Sequence, residues 1–136
     1  MTHIINSLDE ISHHYDALFV DLWGCVHNGI VAYTAAVEAL IKYRKNGGKV
    51  VLVTNSPKPR IGVEKQLLHF NVPKICYDTV ATSGDSARVA MFTGVVGKKI
   101  FFIGEPRDQL FFEPISIIKS PIKIEQVSIQ NAEGIV

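Results

Sequence analysis

The sequence predicts an α/β fold built on a doubly wound parallel sheet. Apolar runs of strand length, Ala17–Val20, Val50–Val53 and Ile100–Ile103, lack the alternation of a half-solvated strand. Segments of helical period separate them, and turn residues mark the boundaries. A strand–helix–strand unit crosses over right-handed in nearly all cases, so successive strands run parallel and finish on one edge.

In chain order, Ser7 to His14 open with Ser7 and Glu10 at capping-box spacing, and Leu8 and Ile11 share a face, so a short helix precedes the first strand. His13 and His14 point to different sides of such a helix and read as surface residues. Ala17–Val20 reads as a strand buried on both faces and ends at Asp21. Residues 22–32 fit no helical period and contain Gly24 and the hairpin-forming pair Asn28-Gly29. Long loops at the carboxyl end of a strand carry function more often than mere connection.

Tyr33, Val37, Leu40 and Ile41 then recur at helical spacing, and the helix closes with Lys42, Arg44 and Lys45 before a left-handed cap at Gly47. Val50–Val53 forms the second strand and runs into Thr54-Asn55-Ser56-Pro57. A helix from about Gly62 to Phe70 turns Val63, Leu67 and Phe70 inward and stops before Pro73. Val80-Ala81 is a short strand, Thr82 and Asp85 form a second capping box, and a helix follows through Phe92. Ile100–Gly104 supplies a fourth strand expected in the same sheet. Beyond Glu105 the prolines at 106, 114 and 121 interrupt any long element, and Ile135-Val136 looks like the start of a strand without a partner.

Composition narrows the functional classes. The 136 residues suit one domain, and 47% hydrophobic with 20% charged residues is a globular balance. A net charge of +1 provides no bulk attraction for nucleic acid or an anionic membrane, so neither is an expected partner. Cys25 and Cys76 are too few for a disulfide framework, and the opening residues lack the length and basic flank of a signal segment. With no apolar run near the ~18 residues of a membrane span, a soluble cytoplasmic protein with reduced thiols is expected.

Asp21 falls at the strand edge where open α/β sheets bind ligands, and a carboxylate there can attack phosphorus or hold a cation. It equally fits a residue that ends a strand and caps a turn. Thr54 finishes the next strand on the same edge, where its hydroxyl and the following amides could cradle a phosphate; it also fits a helix N-cap. Lys58 and Arg60 add positive charge close by in sequence.

Asp21-Leu-Trp-Gly-Cys-Val-His-Asn-Gly29, with Val51-Leu-Val-Thr-Asn-Ser56, resembles the haloacid dehalogenase superfamily, and within it the class IIA phosphatases of the NagD or nitrophenylphosphatase type. The likeness extends to Phe70-Asn-Val-Pro73, Thr82-Ser-Gly-Asp85 and Phe102-Ile-Gly-Glu-Pro106. It implies a Rossmann-like core in which Asp21 is the nucleophile, forming an aspartyl-phosphate and ligating Mg²⁺. Thr54 and Asn55 would then hold the phosphoryl group, and the backbone carbonyl of Trp23 would be a second metal ligand. The implied substrates are sugar phosphates or similar small phosphomonoesters.

Two departures bear on this. The family's first motif usually carries a second Asp two residues after the nucleophile, as general acid and base, where this chain has Trp23. The family's cap domain and late Lys and Asp motifs also lie beyond the matched region. The resemblance thus implies an incomplete core over residues 1–112, with the start of the cap region over 113–136. It also implies weak or absent Mg²⁺ binding, impaired turnover, and association with a downstream fragment or with itself. A catalytically silent phosphate- or partner-binding module is the alternative; a nucleotide-binding module is disfavoured because no Gly-rich phosphate loop is present.

Overall fold

A computed structural model describes residues 3–136. They form two compact units, the first running to Thr54 and resuming over Gly62–Ala81, the second comprising Asn55–Ile61 and Thr82–Val136.

The first unit opens with a single helical turn, α1 (Asp9–Ser12), followed by β1 (Ala17–Asp21), α2 (Thr34–Lys45), β2 (Lys49–Thr54) and all but the ends of α3 (Arg60–His69) and β3 (Thr79–Thr82). The strands lie in the order β1-β2-β3. β1 and β2 are parallel, with Phe19 opposite Val51 and Asp21 opposite Val53. This is the βαβ unit expected from the sequence. α2 ends as its basic last turn and glycine suggest, with the Gly47 amide donating to the Arg44 carbonyl at 3.0 Å. Val50, Leu52, Leu67, Val72 and Cys76 are sealed from solvent at the centre of the core. Asp78 ties the elements together: it accepts from the Val50 amide at 2.8 Å and from Arg44 of α2 at 2.9 Å. These bonds, the Val50 amide first, hold its carboxyl below the usual range.

In the second unit α4 (Ser83–Phe92) leads to β4 (Lys99–Phe101), a 3-10 segment over Pro106–Phe112, and the short strands β5 (Glu125–Gln126) and β6 (Gly134–Ile135). β4 is central and parallel to both neighbours. Met91, Phe92 and Ile100 form its core. Arg88, 7% exposed, holds the unit from within. Its guanidinium pairs with Asp85 at 2.7 Å and donates to the carbonyls of Phe111, at 2.9 Å, and Glu113. Gly84 in the first turn of α4 lies so close to the preceding chain that a Cβ would fall 2.1 Å from the Pro57 carbonyl oxygen.

Several expectations are corrected. β1 is not buried on both faces: Leu18 and Val20 are half-buried, but Phe19 is 79% exposed, and Val53 on β2 is 40% exposed. An unbroken apolar run shows that a strand can be covered, not that a covering element lies over it. β4 does not join β1, β2 and β3 but forms its own sheet with β5 and β6. Alternation of strands and helices sets strand direction without saying which edges meet. Ile135, expected on a strand without a partner, pairs with Phe101.

Both capping boxes are half-formed. Glu10 reaches back to the Ser7 amide at 3.1 Å, but α1 has no side-chain N-cap bond. The Thr82 hydroxyl accepts from the Asp85 amide at 2.9 Å, whereas the Asp85 carboxylate is drawn to Arg88 and to the Arg60 amide. A charged donor competes successfully for the carboxylate that the box would use.

Candidate functional site

Asp21 is the last residue of β1, exposed at the strand's carboxyl end. Its register partner is Val53, so Thr54 lies one residue further along β2. Strand spacing and rise then put the Asp21 and Thr54 Cα atoms about 6 Å apart. The two-residue period places Thr54 on the Leu52 side and Asp21 on the Phe19 side, so a ligand touching both sits beyond the strand ends. The register thus makes the two backbone positions neighbours at one edge, with their side chains on opposite faces of the sheet. Asn55 is exposed and opens the second unit, to which Lys58 and Arg60 also belong.

The segment after Asp21 folds back on itself. The Leu22 amide donates to Asp21 Oδ1 at 2.7 Å, orienting the carboxylate. The amides of Cys25, Val26 and His27 converge on the Leu22 carbonyl at 3.3, 2.9 and 3.2 Å, and the Gly24 amide donates to the His27 carbonyl at 2.9 Å. The Trp23 carbonyl accepts none of these. The Asn28-Gly29 signal appears as a single antiparallel bridge, His27 to Ala32, rather than two full strands. Asn28 Oδ1 closes it by accepting from the amides of Ile30 and Val31, both at 2.9 Å.

As the chain leaves β1, Asp21 is exposed, Leu22 buried and Trp23 exposed. Trp23 is 67% exposed and its ring lies against Gly29. The His27 ring stands nearly perpendicular to it at a centroid distance of 6.0 Å.

Sequence reasoning passed over His27. It is 6% exposed, 4.8 Å from the Phe70 ring, and its Nδ1 accepts from the Gly29 amide at 3.0 Å. Burial lowers its pKa, and the Asp21 charge opposes that in part. Residues 22–32 follow neither a helical nor a strand period, so the sequence carries no pattern that marks its burial.

The oxygen donors that the resemblance assigns to a metal at this edge are the Asp21 carboxylate and the Trp23 carbonyl. Among the described residues no three His, Cys, Asp or Glu side chains gather as a metal site. Mg²⁺ favours hard oxygen donors in an octahedron, so the donors match it in kind but fall short in number. Cys25 is exposed and Cys76 buried, both free thiols. No helix among the described residues is long and apolar enough to cross a membrane.

The family profile described as haloacid dehalogenase-like hydrolase matches residues 18–115. The fold is similar to the crystal structure of a hydrolase of the haloacid dehalogenase-like family from Brucella suis 1330, with a TM-score of 0.84 and 36% sequence identity. The match covers 97% of this chain and 45% of that one, so this chain spans less than half the length of its relative. No curated protein matches.

Proposed function

Because the chain belongs to the haloacid dehalogenase-like hydrolases, we propose that it is a phosphatase-type hydrolase of small phosphomonoesters, sugar phosphates among them, with Asp21 as nucleophile. The observation that carries this reading is the register that sets Asp21 and Thr54 side by side at the carboxyl edge of β1 and β2. The Leu22 amide aims Oδ1, and the second carboxylate oxygen can form the bond to phosphorus while the ester oxygen departs. The Thr54 hydroxyl and the Asn55 backbone are assigned to the phosphoryl oxygens.

Mg²⁺, when bound, would neutralise phosphoryl charge. Two oxygen donors do not complete its shell, so binding by this chain is weak and no step is derived through the ion. The indole N–H of Trp23 is far too weak an acid to protonate the leaving oxygen, and loss of general acid help commonly costs about 10²–10⁴-fold. Turnover by this chain is therefore slow, and a silent phosphate-binding module is the second reading. A cytoplasmic setting and association with a second copy, or with a polypeptide equivalent to the uncovered part of the Brucella protein, belong to the same proposal.

The test is to seek phosphate covalently attached to Asp21 after incubation with a phosphomonoester and Mg²⁺, by mass spectrometry of acid-quenched protein. A phosphorylated Asp21 peptide, missing from Asp21→Asn, is expected. Phosphate release without any such adduct, undiminished in Asp21→Asn, would remove Asp21 from the chemistry.

A further inference from the structure

We infer that Asn28-Gly29 is a self-modifying site, at which the folded loop promotes ring closure and deamidation of Asn28 with water as the only other reactant. The inference stands apart from the phosphatase reading and uses none of the residues assigned to phosphate.

An Asn followed by Gly can lose its side-chain nitrogen when the next backbone nitrogen attacks Cγ and closes a five-membered ring. The attack makes two demands. The backbone nitrogen must shed its proton, and negative charge gathers on Oδ1 as the new bond forms. The loop meets both. The Gly29 N–H donates to His27 Nδ1 at 3.0 Å, so the proton that must leave already points at a nitrogen lone pair. Asn28 Oδ1 accepts from the Ile30 and Val31 amides, both at 2.9 Å, which puts two donors on the oxygen that gains the charge. His27 is buried against the Phe70 ring, which keeps the base in place. Asn28 is exposed, so water can enter and ammonia can leave. Gly29 adds no Cβ at the closing nitrogen.

A second Asn-Gly pair, Asn46-Gly47, supplies the comparison within the same chain. Gly47 has φ +93° against +88° for Gly29, so the two glycines are alike in conformation. The Gly47 amide, however, donates to the Arg44 carbonyl at 3.0 Å, an acceptor that cannot carry the proton away. If the Asn28 bonds did no more than close the turn, they would restrain its side chain and leave it no faster than Asn46.

In the first step the Gly29 nitrogen bonds to Asn28 Cγ, His27 Nδ1 takes the amide proton, and the carbonyl electron pair moves onto Oδ1. The pair then returns, the Cγ–Nδ2 bond breaks, and the nitrogen departs as ammonia with the proton that His27 held. Water opens the ring at either carbonyl, giving its hydroxyl to carbon and a proton to nitrogen, and leaves an aspartyl or an isoaspartyl residue. The product places a carboxylate in a segment, Leu22 to Val37, that otherwise has no Asp or Glu.

The test incubates the full chain at neutral pH and follows Asn28 and Asn46 by peptide mass spectrometry, with aspartyl and isoaspartyl products separated by chromatography. Asn28 is expected to convert about tenfold faster than Asn46, a conservative share of the about 10²-fold that one positioned base or oxyanion donor commonly contributes. Unfolding in guanidinium chloride should bring the two rates together. His27→Gln keeps an acceptor but cannot take up a proton, and should slow Asn28 to the rate of Asn46, with circular dichroism confirming the fold. An Asn28 no faster than Asn46, or slower in the folded than in the unfolded chain, overturns the inference. So does an unchanged rate in His27→Gln, or an aspartyl product with no isoaspartyl form, which would mean direct hydrolysis without the ring. If His27→Gln does not fold, the folded and unfolded rates of the parent chain decide by themselves.

Discussion

The ring of Trp23 occupies the space where a side chain on Gly29 would begin: a Cβ there would lie 2.2 Å from Cζ3 and 2.5 Å from Cη2. Gly29 also has φ +88°, a conformation other residues adopt at a cost. Gly29→Ala should therefore lose about 1 kcal/mol through the backbone, and the indole, being exposed, should swing away. Chemical denaturation would measure the first effect and a shift in tryptophan emission the second. Unchanged emission would show that the ring does not depend on this seat.

Acid should weaken the first unit through His27. Its folded pKa lies below the ordinary value of 6.5, because burial disfavours the charged ring. The unfolded chain therefore takes up the proton first. Stability is fully present above pH 6.5 and declines as the pH falls through the folded pKa. The thermal midpoint of the unmodified chain should drop over that window, and His27→Gln should flatten this part of the profile. Parallel profiles for the two proteins would argue against His27 as the source.

Arg88→Met keeps the length and apolar stem of the side chain but strands Asp85 and the Phe111 and Glu113 carbonyls. Breaking a pair buried this deeply should cost about 3 kcal/mol in urea unfolding. A loss below about 0.5 kcal/mol, the usual range of surface substitutions, would mean that the guanidinium holds nothing that water cannot replace.

Phe19 stands on the edge strand of its sheet with most of its ring in solvent. An open apolar edge invites pairing with another chain, so the protein should self-associate as its concentration rises. Phe19→Lys should shift sedimentation toward the monomer while leaving the thermal midpoint nearly unchanged. A strict monomer at high concentration before any substitution would refute this.

Asp21→Asn removes a nucleophile without removing an acceptor, since the amide oxygen can still take the Leu22 N–H. Stability should stay within about 0.5 kcal/mol of the parent, as for other exposed positions, while covalent phosphate disappears. A cooperative urea transition alongside the mass spectrum separates lost chemistry from lost fold.

The sequence alone determined the local structure. Val37, Leu40 and Ile41 at helical spacing, and short unbroken apolar runs ending at Asp21 and Thr54, are patterns that depend only on near neighbours. A short parallel crossover then made it necessary that Asp21 and Thr54 share an edge, and the register agrees. The tertiary structure decided what depends on partners distant in sequence. β4 pairs with β5 and β6 rather than with β1–β3, because unsatisfied strand edges are alike until the chain brings two together. Arg88 is buried because two carbonyls more than twenty residues away and a carboxylate one turn before it satisfy its donors together. Phe19 remains exposed although its run of apolar neighbours suits a core, since burial requires a covering surface and not merely an apolar side chain. Trp23 and His27 acquire their arrangement through Gly29 and Phe70, contacts that arise only after the loop has folded back.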